Sequence, residues 1–236
     1  MKNIDADSDV QLEAIQPLRN PLTLEATAYL ELRRLISEGV LLPGARIAVS
    51  ALARRLGISR LPAIHALRRL ASEGFVQIRP HKDVVVSKPT TKEMRGQFLV
   101  FASLEEVAIR EAWPLSSEQR ARLDHCYQRL TGELKSGSVG EPADYAFHDV
   151  LWGAAGIEYL STNIQTLWNL HAYYRMLVYK KYGPNMRYRA TEHAAILHAV
   201  TNGTLEEAVD HIRRHRLNSL ERVTEVMTEI LGSPVG

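Results

Sequence analysis

Asp144 and His148 stand four apart in the run Asp144-Tyr145-Ala146-Phe147-His148, so on a helix their side chains share one face a turn apart. A carboxylate and an imidazole so placed serve either as a hydrogen-bonded structural pair or as two ligands of one cation. His193 and His215 lie on the last two helical stretches of the chain. Antiparallel packing of those stretches would bring such histidines to one point in a bundle core. Three imidazoles and one carboxylate suit Zn²⁺, Ni²⁺ or a related divalent transition metal, with positions left open for water or a ligand. Spacing alone does not choose His215 over His211, or His193 over His198.

A second chemistry is written in residues 53 to 80, ARRLGISRLPAIHALRRLASEGFVQIRP. Leu52 and Leu56 form one apolar stripe at helical spacing, and Ala63, Ala66, Leu67 and Leu70 form another. Gly57 suits the end of the first helix, Ser59 can cap the second, and Pro62 is tolerated in its first turn. Helix, tight turn, helix is the expectation, with the second helix entering the major groove of DNA. The core takes the alanines and leucines of that helix, which leaves Ser59, Arg60, Leu61, Ile64, His65 and Arg68 toward DNA. A guanidinium bonds two acceptors of guanine at once, so Arg60 is the best base reader. Arg54, Arg55, Arg69 and Lys82 are candidate phosphate contacts.

The elements around these residues divide the chain. Residues 1 to 21 are polar and broken by Pro17 and Pro21, and read as a tail. The next segment, 22 to 88, reads as a helix over 24–39, the helix pair, and two short β-prone runs, Phe75-Val76-Gln77-Ile78 and Val84-Val85-Val86, forming a two-stranded wing. Lys88-Pro89 breaks the chain, and Thr90 with Glu93 can open a helix as a capping box. From there to 231 nearly everything reads as helix, 91–112, 116–135, 141–155, 159–181, 187–202 and 204–231, within a second domain of 89–236. The expected fold is mainly α, a winged helix-turn-helix followed by an all-α bundle of about six helices.

Composition supports a packed globular chain of 236 residues, 45% of them hydrophobic. No apolar run approaches the roughly 20 residues of a membrane helix, so no membrane partner is expected, and a cytoplasmic location is. The single cysteine, Cys126, reads as a small core residue. Net charge is only +2, but residues 22 to 88 hold eleven Lys and Arg against five Asp and Glu, giving +6 there and −4 elsewhere. Such asymmetry favours contact with phosphates.

The pattern LRRLISEGVLLPGARI…LARRLGISRLPAIHALRRLASEGFVQIRP resembles the N-terminal domain of the GntR superfamily of bacterial transcription regulators. The helical remainder is similar to the ligand domain of its FadR-like subfamily. Leu42-Pro43-Gly44, Leu56-Gly57-Ile58-Ser59-Arg60, Pro62, Ala66-Leu67-Arg68-Arg69-Leu70 and Glu73-Gly74 carry the likeness. It implies a homodimer on a double-stranded operator and a small organic or sugar acid as effector. Members that bind metal carry an Asp-x-x-x-His pair, a histidine near the start of the penultimate helix and another 22 positions on. The resemblance therefore selects Asp144, His148, His193 and His215.

Departures from the family pattern are Ser50, Ile64 and Phe101 where arginine is usual, Leu61 for threonine, and Asp83 for glycine in the wing tip. With arginine absent at Phe101, Arg175 in Tyr173-Tyr174-Arg175 is the candidate to hold an effector carboxylate. No residue is assigned a catalytic role. One alternative is a metal-dependent hydrolase built on the bundle; Asp144, spent as a ligand, would leave it no evident general base. Another is a regulator with a purely structural metal and impaired DNA binding.

Overall fold

The computed structural model of the chain describes residues 23–79, 84–183 and 187–231. The expected tail, and Lys82 and Asp83 in the wing tip, lie outside the described residues.

Helix α1 spans Leu24–Ser37, with the Thr23 hydroxyl accepting from the Ala26 amide at its start. Strand β1, Arg46–Ile47, follows, and then α2, Val49–Leu56. Gly57 ends α2 with φ of +66°, a left-handed conformation that costs glycine no Cβ clash. Ser59 precedes α3, Arg60–Ser72, in extended conformation, but its side chain makes no capping hydrogen bond. Strands β2, Val76–Ile78, and β3, Val84–Val86, complete the segment. The wing expected to be two-stranded is an antiparallel sheet of order β1-β3-β2, because Arg46–Ile47 pairs with Val84 and Val85. Ala63, Ala66, Leu67 and Leu70 of α3 are buried as their spacing requires, the last three in one cluster with Ala28, Leu32 and Ile36 of α1.

The remainder is helical: α4 Thr91–Ala112, α5 Ser117–Lys135, α6 Glu141–Gly153, α7 Glu158–Leu170, α8 Ala172–Tyr182, α9 Arg187–Asn202 and α10 Leu205–Leu231. Reciprocal capping boxes start α4 at Thr90/Glu93 and α5 at Ser116/Gln119. Thr204 and Glu207 do the same for α10. Among the described residues seven helices replace the expected six, because the run over 159–181 breaks at His171 into α7 and α8. At this break Leu170 joins the hydrophobic core of the first segment, while His171 is buried on the bundle side against Phe98. Helix α4 packs along α10, and α5 along α6 and α9, around a core that includes Phe147, Trp152, Trp168 and Ile212. No described helix is long and apolar enough to cross a membrane.

Candidate functional site

Helix α6 places Asp144 and His148 inward, α9 places His193, and α10 places His215; all four are buried. The three imidazoles each offer a nitrogen within 4.8 Å of the others. Their ring centres lie 5.2 Å (His148 to His193), 5.0 Å (His148 to His215) and 4.8 Å (His193 to His215) apart. Asp144 Oδ1 lies 2.7 Å from His193 Nε2. His198 is exposed and His211 half-buried, and neither belongs to this cluster.

Hydrogen bonding behind the rings fixes which nitrogen faces the centre. His193 Nδ1 lies 2.7 Å from the Arg189 carbonyl, which can only accept, so Nδ1 carries a proton and Nε2 is the nitrogen turned to Asp144. His215 Nδ1 is 2.7 Å from Glu192 Oε2, a carboxylate also held by Asn218 and Arg222. His148 Nδ1 is 3.5 Å from Glu105 Oε1, which Arg216 and Trp152 hold in turn. At the centre, Asp144 Oδ1, His193 Nε2 and His148 Nε2 have no hydrogen-bond partner. Asp144 Oδ1 and His193 Nε2 thus lie 2.7 Å apart at the centre, close enough for both to ligate one cation.

Protonation states suit the same chemistry. Burial pushes His148 down to about 3 and also lowers His215, so both are neutral bases at pH 7. Burial alone would raise the Asp144 carboxyl, but Arg189, 2.9 Å away, and His193 outweigh it and hold Asp144 well below the usual range. His148 and His215 as neutral imidazoles, with His193 and an ionised carboxylate beside them, form a donor set for Zn²⁺ or a neighbouring divalent ion.

Beside the cluster opens a cavity of about 540 Å³, counted with its mouth, lined among others by Asp144, His215, Arg175, Phe98 and Val223. Arg175 is no solvated helix arginine. Its guanidinium lies 3.9 Å from the Trp168 ring centre, and Nη1 donates to the Trp168 carbonyl at 2.6 Å. Phe101 is wholly buried and lies under a different guanidinium, that of Arg216, at 3.9 Å. Sequence reasoning passed over Glu105, Arg189, Glu192 and Arg216. The available signal was a charge inside an apolar helical stripe: Glu105 follows Phe101 and Ala102 and precedes Ala108 and Ile109, all buried.

On the other unit, α3 exposes Ser59, Arg60 and Arg68 on one side, with Ile64 and His65 half-buried between them. His65 Nδ1 leans to within 3.3 Å of Glu25, and Leu61 is 62% exposed. Arg54 and Arg55 are exposed on α2. Arg69, expected near phosphate, is engaged within the fold: it lies over the Tyr29 ring at 3.9 Å with Nε 3.2 Å from Glu73.

A winged helix-turn-helix joined to a helical domain with a cavity and a buried histidine cluster defines a class, the DNA-binding transcription regulator with its own ligand domain. Residues 24–86 match the gntR family of bacterial regulatory proteins, and residues 98–218 match the FCD domain. The chain belongs to the GntR family, with an FCD ligand-binding domain at its C-terminal side. It is 26% identical over 167 residues to the HTH-type transcriptional repressor RspR of Escherichia coli K12, covering 67% of this chain and 68% of that one. It is 25% identical over 195 residues to the Nta operon transcriptional regulator of Aminobacter aminovorans, covering 80% and 90%. Among solved structures, E. coli McbR/YncC superposes with a TM-score of 0.69 at 21% identity, covering 85% of this chain and 98% of that one. A putative GntR regulator from Rhodococcus sp. RHA1 gives 0.67 at 17% identity, covering 84% and 96%. These relatives are regulators, not enzymes.

Proposed function

We propose that this regulator binds a pseudo-palindromic operator as a homodimer and senses a small organic or sugar acid through a divalent transition metal. Residues 22–88 form the DNA-binding domain, and 89–236 the metal-binding, effector-binding and dimerisation domain. Because its work is on DNA, its place is the cytoplasm. On α3, Ser59, Arg60, Ile64, His65 and Arg68 read or flank the bases, with Lys82 on the backbone beside them; Arg60 is the principal base contact. Asp144, His148, His193 and His215 hold the ion, which is Zn²⁺ or Ni²⁺ by the softness of that donor set.

The observation that carries the reading is that Asp144 Oδ1, His148 Nε2 and His193 Nε2 are buried without hydrogen-bond partners where three imidazoles offer nitrogens within 4.8 Å of one another. Buried polar groups without partners are rare, and a cation satisfies this set together. When bound, such an ion supplies a positive centre with open positions for an oxygen anion. The chain's own residues do the rest: Arg189 and Glu192 orient the ligands, Trp168 and Phe98 restrict water, and Arg175 stands beside the cavity to meet a carboxylate.

The test is metal content by atomic absorption after reloading chelator-stripped protein, followed by operator titration. One ion per chain is expected. Stripped protein that takes up no metal while folding and binding operator normally would sink the metal reading.

A further inference from the structure

We infer that the cavity beside the histidine cluster takes a small amphipathic monocarboxylate, with an aliphatic or aromatic body, in preference to a polyhydroxylated acid. The inference rests on the acid-sensing reading above and narrows it. The cavity is lined by Asp144, His215 and Arg175, and of these Arg175 is the cation that can meet a carboxylate. Arg175 has no buried carboxylate holding it: its Nη2 is 3.6 Å from Glu141, which is 43% exposed, and its buried Nε has no partner. The other arginines on the lining are already spoken for. Arg189 is held by Asp144, Arg216 by Glu105 and Arg222 by Glu192.

A sugar acid brings several hydroxyls, and each needs a donor or acceptor to replace the water it loses. Of the hydroxyls on the lining, those of Tyr179 and Ser219 are committed within the protein. Tyr179 donates to Asp144 Oδ2 at 3.3 Å, and Ser219 donates to the His215 carbonyl at 2.9 Å. His171 Nδ1 is unpartnered and the Tyr188 hydroxyl also lines the cavity; each can meet one polar atom of a ligand, which falls short of a chain of hydroxyls. The remaining surface is apolar: Phe98, Val178 and Val223 belong to a hydrophobic cluster with Met94, Leu220 and Val226, and they line the cavity. An apolar body gains by covering such a wall, whereas a row of hydroxyls facing it goes unsatisfied.

Calorimetric titration of metal-loaded, full-length protein with acetate, hexanoate, benzoate and gluconate tests this. Hexanoate or benzoate should bind at least about tenfold more tightly than acetate and gluconate, the scale on which an apolar pocket discriminates. Val178→Thr and Val223→Thr keep side-chain shape while placing a hydroxyl on the wall. They should erase that advantage and leave acetate affinity unchanged. Gluconate binding as tightly as hexanoate, or a hexanoate advantage surviving both substitutions, overturns the inference. If acetate binds and hexanoate is no tighter, acid sensing stands and the apolar preference falls. If none of the four acids binds, the acid-sensing reading itself fails and takes this inference with it.

Discussion

Arg216 on α10 grips Glu105 on α4 with two hydrogen bonds, Nε to Oε2 at 2.7 Å and Nη2 to Oε1 at 2.6 Å, although the residues stand 111 apart in sequence. Both are buried, and the same carboxylate accepts from Trp152 Nε1 at 3.0 Å and backs His148 at 3.5 Å. Burial favours the protonated acid, but Arg216 and His148 outweigh it and keep Glu105 ionised. Arg216→Met removes one charge and strands the other. Urea denaturation should show a loss of about 3–5 kcal/mol, the usual cost of breaking a buried pair from one side. The double variant Arg216→Met with Glu105→Leu should recover a large part of it, and a loss that simply adds would argue that the two do not form one unit.

Metal content separates the histidines. His193→Ala and His215→Ala should each lose most of the ion, while His198→Ala and His211→Ala keep it. Glu192→Gln, which weakens the acceptor behind His215 without touching the centre, should lower affinity by about 10- to 100-fold. Equal metal content across the four alanine variants would dismantle the assignment.

At the operator, Arg60→Ala should weaken specific binding by about 1–3 kcal/mol, the value of a bidentate base contact. Competition against unrelated DNA gives the readout. If specific and nonspecific affinities both stay as in the wild type, α3 does not read bases through Arg60.

Acidity acts on His171. Burial, and then the nearby Arg175 and Arg216, hold its pKa well below 6.5, so the folded ring stays neutral where the unfolded ring takes a proton. Its contribution is therefore present above about pH 6.5 and is lost as pH falls, at up to ~1.4 kcal/mol per unit. Denaturation of metal-free protein at pH 7 and pH 5.5 should show a smaller acid penalty for His171→Phe than for wild type. Identical penalties would mean that the ring is protonated in the folded state.

The effector should change operator affinity by about 1–3 kcal/mol, the usual range of coupling between sites. The break at His171 offers the connection: His171 lines the cavity while Leu170 next to it enters the core of the DNA-reading unit. Tyr173 and Met176 of α8 also press on Gly39 at the end of α1, where an added Cβ would meet Met176 Cε at 2.9 Å. His215→Ala should abolish the response with basal operator binding largely kept. Leu170→Ala should diminish the response while metal content stays full, and a response of unchanged size would place the coupling elsewhere, as in the Lys88-Pro89-Thr90 connection.

Local signals carried most of the secondary structure. Capping pairs such as Ser116/Gln119 and stripes such as Ala63, Ala66, Leu67 and Leu70 depend on near neighbours, and those elements form where the pattern places them. The split at His171 had no such signal, since no glycine or proline stands between 159 and 181; it is set by what Leu170 and His171 pack against. Strand β1 was missed for a related reason, because two residues carry no periodicity and Arg46–Ile47 is a strand only through its pairing with β3. Within the site, Asp144 and His148 were legible as an i, i+4 pair, and the chain brings His193 and His215 to them. Their supports were not legible: the pairing of Glu105 with Arg216, or of Glu192 with Arg222 across 30 positions, exists only in the packed bundle.

Leu170 also bears on what a truncated chain would report. The hydrophobic core around Phe75, Val76 and Val86 is completed by this side chain from α7, which packs on the turn at Gly74. A fragment ending at 88 would bare that patch to water, so its stability and its solubility would fall below those of the same residues in the whole protein. Operator affinities measured on such a fragment would describe a loosened reader, because part of its core is supplied from the helical domain.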